Sequence, residues 1–235
     1  MKNLNIFSLI TEYDNAKSGG VLNVPNVSFV DEDSSARYLL KFDFTHNGYE
    51  YVDLGLPSGL KWATCNVGAS SPEQAGRYFA WGETKGYTGE QVNYGRRYFD
   101  SESYKAASIS ADLTLKQDAA HVNLGGNWRM PTKAEYQELI DNCTSTWTTN
   151  YNGTGVKGRI FTSKTNGNSV FFPASSYCYL SVVDEGSGGE YWAASWVPSN
   201  EATNCAWYFN FDSGSTVELV YNDRYYGRSV RGVFK

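Results

Sequence analysis

The side chains best suited to molecular recognition lie in the last fifteen residues, which read YNDRYYGRSVRGVFK. Tyr221, Asn222, Tyr225 and Tyr226 offer aromatic rings, hydroxyl groups and an amide to a partner. Tyrosine supplies a large contact area at a small cost in conformational entropy, and asparagine adds adaptable hydrogen bonds. Residues 229–233 alternate in the manner of a strand, which would hold this set on a sheet. The pattern favours a binding surface over a catalytic cleft.

The nucleophilic and titratable residues do not form a known catalytic or metal-binding pattern. Cys65, Cys143, Cys178 and Cys205 are widely separated and lack the C-x-x-C spacing of a zinc site. We interpret them as buried thiols, with Cys178 and Cys205 as the pair to test for a disulfide. The chain has two histidines, and His121 is interpreted as a hydrogen-bonded structural imidazole. No nucleophile elbow or phosphate loop is present, so we predict no enzymatic activity, no metal and no cofactor.

The composition indicates a globular chain without the charge of a nucleic-acid-binding protein. The 235 residues are 41% hydrophobic and 19% charged, which suits one sizeable domain with a short appendage. An aromatic content of 16%, together with 23 glycines, indicates many short strands and turns. The net charge is −5 and no basic stripe is visible, so we expect no nucleic-acid partner. Neither a signal peptide nor an apolar segment of 18 residues is visible, and we expect no membrane insertion.

The residue pattern divides the chain into two regions. Residues 1–46 contain two extended segments around an acidic turn at Asp31, Glu32 and Asp33, and we predict a small β-rich arm or attachment segment there. The acidic turn lacks the spacing of a calcium loop. Residues 47–235 are predicted to form one ligand-binding domain of short strands separated by glycine and proline turns. Within that domain, a polar stretch from about 85 to 116 is predicted to be a surface loop with one helical turn.

One helix is well specified by the segment RMPTKAEYQELIDNC. Thr132 and Glu135 have the spacing of a capping box, in which each side chain bonds the other residue's backbone amide. Apolar residues then recur at i, i+3, i+4 and i+7, namely Tyr136, Leu139, Ile140 and Cys143. The spacing predicts a helix with one apolar face.

Two hairpins are predicted in the second half of the chain. RIFTSK and SVFFPAS flank TNGN, in which an Asn-Gly pair favours a tight turn. AWYFNF and TVELVY flank DSGS in the same way. In the first strand of this second hairpin, the period of two directs Trp207, Phe209 and Phe211 inward and Tyr208 and Asn210 to the opposite face.

Five motifs in order resemble the Fibrobacter succinogenes major paralogous domain: GYEYVDLGLPSGLKWATCNVGA, YFAWGET, DAAHVNLGGNWRMPTKAEYQELIDNC, YWAASW and GRSVRGV. The fragment NWRMPTKAEYQEL is also similar to the RLPTEAEWE signature of formylglycine-generating-enzyme-type sequences, a branch of the C-type lectin fold. The resemblance covers about residues 48–235. It implies an α+β, C-type lectin-like fold of the formylglycine-generating-enzyme type, with short twisted antiparallel strands and one or two helices.

The C-terminal region is similar to variable proteins of diversity-generating retroelements, which share this fold. Their constant frame matches Trp192, Trp207, Gly214, Val217, Arg224, Gly227, Val230 and Arg231. In that family, adenine-directed mutagenesis rewrites asparagine-type codons between frame positions. The resemblance therefore implies a variable-type region at about 191–235. Its candidate ligand-binding residues are Ser199, Asn200, Tyr208, Asn210, Val220, Tyr221, Asn222, Tyr225, Tyr226 and Arg228. Trp196, Glu201 and Glu218 are incompatible with such codons and belong to the frame or to constant contacts.

The resemblance implies a receptor-binding or adhesin tip of a Bacteroides phage or prophage. Its partner would be a bacterial surface protein or glycan, and its location the phage tail tip or the cell surface. By analogy with phage tips of this fold, a homotrimer would form through the N-terminal arm. The alternative is an undiversified bacterial surface lectin or adhesin. A formylglycine-generating-like enzyme comes third, because Cys178 and Cys205 do not lie in the matching motif.

Overall fold

The computed structural model describes residues 27–31, 38–42, 44–94, 99–106, 108–198, 200–202 and 204–235, and of residues 27–31, 38–42 and 94 it describes the backbone alone. The chain divides into two compact units, Met1–Thr45 and His46–Lys235. In the first unit, β1 (Val27–Asp31) pairs with β2 (Tyr38–Phe42) as an antiparallel hairpin. The two extended segments predicted there are confirmed, whereas Glu32 and Asp33 of the predicted acidic turn lie outside the described residues.

The second unit is built from short, mainly antiparallel strands. In chain order these are β3 (Thr45–His46), β4 (Tyr49–Asp53), β5 (Lys61–Asn66), β6 (Tyr78–Phe79), β7 (Cys143–Thr148), β8 (Gly158–Ser163), β9 (Ser169–Pro173), β10 (Tyr177–Tyr179), β11 (Ser181–Val183), β12 (Gly188–Trp196), β13 (Cys205–Asp212), β14 (Val217–Asp223), β15 (Gly227–Ser229) and β16 (Arg231–Phe234). The largest sheet has the order β11–β10–β15–β12–β13–β14, with β6 paired to β15. Within it, β12 and β15 run parallel. The other sheets have the orders β16–β5–β4–β3 and β7–β8–β9.

Three short helices accompany the sheets in the described part of the chain: α1 (Gly89–Tyr94), α2 (Ala119–Leu124) and α3 (Lys133–Asn142). Single 3₁₀ turns span Leu115–Gln117 and Tyr151–Gly153. The architecture is therefore a mixed α+β fold dominated by antiparallel sheet. No helix in the described residues is both long and apolar enough to cross a membrane.

Helix α3 has the predicted capping box. The Thr132 hydroxyl accepts a hydrogen bond from the Glu135 amide at 3.3 Å, and the Glu135 carboxylate accepts one from the Thr132 amide at 2.8 Å. Arg129 forms an ion pair with the same carboxylate at 2.5 Å. Tyr136 and Leu139 are buried on the predicted apolar face. The prediction of this helix is confirmed because local capping and the apolar period agree with the tertiary packing.

Both predicted hairpins are present, and the second one lies between two cores. Phe209 and Phe211 pack into one hydrophobic cluster with the helix residue Tyr136. Tyr208 packs into another cluster that contains Trp192. The predicted alternation is confirmed. Since the sheet is covered in part on both faces, the residues predicted to turn away from the first core also acquire structural roles.

The stretch predicted to be a surface loop, 85–116, is more deeply packed than expected. It contains α1, and Val92 and Phe99 are buried in a small cluster with Tyr78 and Cys178. Apolar residues that are sparse in sequence can still meet a common core when tertiary contacts bring them together. The loop prediction is therefore correct only for part of the stretch.

The capping box gives a first prediction. Replacing Thr132 by alanine should lower the free energy of unfolding by about 1 kcal/mol, because the amide of Glu135 loses its acceptor at the helix start. Urea unfolding followed by circular dichroism measures this change. The matched control Thr132→Ser keeps the hydroxyl and should retain most of the stability. Equal unfolding midpoints for the alanine variant and the unmodified protein would contradict the assignment.

Candidate functional site

One face of the largest sheet carries most of the predicted contact residues. Side chains directly opposite each other on neighbouring strands lie on the same face of a sheet. Tyr208 lies opposite Trp192 and Val220, and Tyr177 lies opposite Arg228. We call this surface the tyrosine face, and it consists of Tyr177, Tyr179, Glu190, Trp192, Tyr208, Asn210, Glu218, Val220, Asn222, Tyr225, Tyr226 and Arg228.

The turn from Arg224 to Tyr226 brings two further tyrosines onto this face. It connects β14 to β15, although β13 and β12 lie between these strands in the sheet. The turn therefore crosses the two intervening strands. Tyr226 packs against the cluster that contains Trp192 and Tyr208, so the crossing lies on the tyrosine face. The buried guanidinium of Arg224 fixes the turn by donating to two backbone carbonyls, at 2.6 and 3.0 Å.

Four tyrosine rings form a connected patch at this crossing. The ring centres of Tyr225 and Tyr226 are 4.7 Å apart, and Tyr226 lies 5.3 Å from Tyr179 and 5.6 Å from Tyr177. The contacts of Tyr226 with Tyr177 and Tyr179 are edge-to-face, a favourable arrangement for aromatic pairs. Tyr179 remains 42% exposed. The patch is thus held in place by its own ring contacts and still offers surface to a ligand.

Arg228 lies beneath this patch and joins it to the core. Its Nε is 2.6 Å from the Glu190 carboxylate. The distances from its guanidinium carbon to the surrounding ring centres are 3.9 Å for Tyr208, 4.3 Å for Trp192, 5.4 Å for Tyr226 and 5.9 Å for Tyr177. A cation within about 6 Å of a ring centre is attracted by the ring face. Its Nη1 has no hydrogen-bond acceptor among the described residues, so ring contacts provide much of its stabilisation.

Arg228 and Tyr208 require a correction to the predicted contact set. Arg228 is 1% exposed and Tyr208 is 9% exposed, so neither presents its side chain to a ligand. Their positions on the correct face agree with the alternation of the strands. The sequence pattern could not show that the Arg224–Tyr226 turn covers them. Both residues support the face from below.

Tyr221 also differs from its predicted grouping. It lies opposite Trp207, with ring centres 5.2 Å apart, and is 45% exposed. Trp207 belongs to the other side of the sheet, where the Lys133 ammonium group lies 3.2 Å from its ring centre. The period of two along β14 therefore separates Tyr221 from its neighbours in sequence, Val220 and Asn222.

The remaining predicted residues lie at the edge of the face or outside the described chain. Asn210 donates to the Glu218 carboxylate at 3.2 Å, and Val220 and Asn222 are half-buried on β14. Asn200 is exposed in the turn after β12. Ser199 lies outside the described residues. Seven of the predicted residues thus share the face: Arg228 and Tyr208 are buried there, and Asn210, Val220, Asn222, Tyr225 and Tyr226 are half-buried. Asn200 stands apart on a loop.

Three members of the face were not predicted from the sequence: Tyr177, Tyr179 and Glu190. The alternation in YCYL, with tyrosines at every second position, is the signal that indicates a strand with one aromatic face. What the sequence does not reveal is that β10 pairs with β15. The hairpin tip after β10 also exposes Leu180, which adopts a positive φ of 64° and is 41% exposed.

Three phenol groups of the face, those of Tyr177, Tyr208 and Tyr225, have raised pKa values. Burial raises the pKa of Tyr208 and of Tyr177, and the nearby Glu190 carboxylate raises both further. Burial and hydrogen bonding with Tyr226 and Asp223 raise the pKa of Tyr225. Each hydroxyl therefore keeps its proton and can act as both donor and acceptor toward a ligand.

The cavities and thiols lie elsewhere and do not assemble a reactive centre with this face. A cavity of about 470 Å³ lies beside Cys65 and Ser70, and one of about 330 Å³ lies beside Lys157 and Ser175. Cys178 is buried, burial raises the pKa of its thiol, and it forms no disulfide with Cys205. Within the described residues, no group of three or more histidine, cysteine, aspartate or glutamate side chains is placed to hold a metal ion.

The division between support and contact gives a second prediction. Arg228→Ala should lower the free energy of unfolding by about 3–5 kcal/mol, because it leaves Glu190 without its partner and opens a space between rings. Tyr179→Ala removes a largely exposed ring and should cost about 1 kcal/mol or less. Urea unfolding of both variants tests the difference. Equal losses, or a loss of under about 1 kcal/mol for the arginine variant, would contradict the role assigned to Arg228.

Comparisons with known proteins identify no relative of this chain. The chain matches no family model, no curated protein and no solved structure. The architecture is mixed α+β with mainly antiparallel sheets. Function is inferred from the geometry of the tyrosine face and from the C-terminal motifs.

Proposed function

We propose that the protein is a ligand-binding display protein with a C-type lectin-like fold of the formylglycine-generating-enzyme type. It binds a bacterial surface receptor through the tyrosine face, as the receptor-binding or adhesin tip of a Bacteroides phage or prophage. The observation that carries the proposal is the division of the C-terminal region into a largely buried frame and a partly exposed contact set on one face of a sheet.

Five of the eight frame residues are buried, whereas Trp207 and Val217 are half-buried and Gly214 is exposed between β13 and β14. Trp192, Val230 and Arg231 are completely buried, and the Arg231 guanidinium donates to the backbone of β5 and β9 at 2.6–2.9 Å. Gly227 is required by close packing, since a Cβ there would lie 2.6 Å from the ring of Phe99. Such positions accept few substitutions without loss of stability.

The contact set has the composition of a recognition surface. Tyr225, Tyr226, Asn210, Val220 and Asn222 are partly exposed and lie on secondary structure or on an anchored turn. Binding hot spots favour tyrosine, and asparagine supplies hydrogen bonds that adapt to different partners. Because the rings are already ordered against each other, little conformational entropy is lost on binding.

These five contact residues are all compatible with asparagine-type codons rewritten by a retroelement. We therefore propose that diversification is directed at them and at Asn200, while Arg228 and Tyr208 belong to the constant support. The sheet tolerates exchange at these positions because each side chain has at least one open side. A reverse-transcriptase gene and a near-copy of the 3′ end beside this gene would support the retroelement, and their absence would favour an undiversified surface adhesin that uses the same face.

Binding to whole cells tests the proposed face. Labelled full-length protein should bind cells of a host Bacteroides strain, and Tyr225→Ala should weaken that binding by about tenfold or more, as expected for a hot-spot tyrosine. The matched control is Tyr49→Ala, which removes an exposed tyrosine ring that lies on another sheet. Equal affinities for the Tyr225 variant and the unmodified protein would contradict the proposal, as would equal losses for both variants.

A further inference from the structure

We infer that the receptor presents a cationic protein surface, with lysine and arginine side chains, to the tyrosine face. This inference rests on the proposed function and adds the chemical class of the partner. Two independent features carry it: the charges that surround the face, and the aromatic rings at its centre.

The charged residues in the segment that forms most of the face are mainly acidic. Residues 177–229 contain no lysine and two arginines, Arg224 and Arg228. Both arginines are buried, and Arg228 is already neutralised by Glu190. The same stretch contains seven acidic residues: Asp184, Glu185, Glu190, Glu201, Asp212, Glu218 and Asp223. The charge that this stretch offers to solvent is therefore negative.

Three of these carboxylates border the tyrosine rings. Glu218 is exposed beside Asn210, and the Asp223 carboxylate accepts a hydrogen bond from the Tyr225 hydroxyl at 3.0 Å. Asp184 is exposed after β11 and contributes to the raised pKa of Tyr177. Among the described residues, none of the three carboxylates forms a salt bridge. A partner can therefore supply the missing cations.

The aromatic rings favour the same partner chemistry. Arg228 shows that this set of rings accommodates a guanidinium, since it lies within 6 Å of four ring centres. Tyr179 is exposed and Tyr225 and Tyr226 are half-buried, so part of each ring is accessible to a ligand. Attraction of a cation to a tyrosine ring adds to attraction by the carboxylates at the rim.

An anionic or a neutral glycan fits these observations less well. Carboxylate or phosphate groups on a glycan would approach Asp184, Glu218 and Asp223 with no exposed cation on residues 177–229 to receive them. A small neutral sugar is usually bound in a concave site. The cavities of about 470 and 330 Å³ are lined by residues outside the tyrosine face. A protein surface rich in lysine and arginine is complementary in both charge and shape.

Calorimetric titration of the full chain with defined polymers tests the inference. The probes are poly-L-lysine of about twenty residues, poly-L-glutamate and a neutral maltooligosaccharide. Poly-L-lysine should bind, with an affinity that falls as salt is raised, and the other two should not bind. Glu218→Gln with Asp223→Asn should weaken poly-L-lysine binding about fivefold, because two rim charges are lost.

A matched pair of substitutions separates a specific surface from general acidity. Glu50→Gln with Asp141→Asn changes the net charge equally on exposed positions of another sheet and of α3. It should weaken poly-L-lysine binding less than about twofold. Equal effects of the two pairs, or tighter binding of poly-L-glutamate or the maltooligosaccharide, would overturn the inference.

Cell binding distinguishes this inference from the proposed function. If Tyr225→Ala weakens binding to cells and the Glu218 and Asp223 pair does not, the cationic partner is refuted and the binding face stands. If neither change affects binding to cells, both proposals are refuted. Loss in both variants, with full binding by the Glu50 and Asp141 pair, is the expected result.

Discussion

The guanidinium of Arg228 lies 2.6 Å from the Glu190 carboxylate and between 3.9 and 5.9 Å from four aromatic ring centres. Burying a charge costs desolvation free energy unless the charge is paired. Here the ion pair with Glu190 and the attraction of the ring faces together offset that cost. The same contacts connect β10, β12, β13 and β15 to the turn above them. The arrangement of the tyrosine face therefore depends on a cation that is itself buried.

Under the proposed function, this dependence would let a fixed sheet carry a replaceable surface. The ring of Tyr226 contacts Arg228 from above, whereas Tyr208 and Trp192 contact it from the core side. The buried residues Arg228, Tyr208 and Trp192 would then contribute most of the stability, and the partly exposed residues of the face would contribute mainly contact area. Such a division allows the outer side chains to change while the backbone that positions them stays the same.

The sequence predicted local elements better than it predicted the membership of the site. Helix α3 and both hairpins followed from capping, turn and periodicity signals that act over a few residues. The burial of Arg228 and the contribution of Tyr179 depend on strand order, whereas the opposite direction of Tyr221 follows from the period of two along β14. The pairing of β10 with β15 joins segments about fifty residues apart, a long-range contact that no local pattern specifies. Residue types indicated the chemistry of the surface, and topology decided which residues belong to it.

The most direct test of a constant support beneath exchangeable contacts is the pattern of natural variation in this gene. Sequencing it across a population of the phage or host would show which codons change. Our account predicts that substitutions concentrate at Asn200, Asn210, Val220, Asn222, Tyr225 and Tyr226, while Arg228, Glu190 and Tyr208 stay constant. Substitutions spread evenly along the chain, or frequent exchange at Arg228, would contradict it.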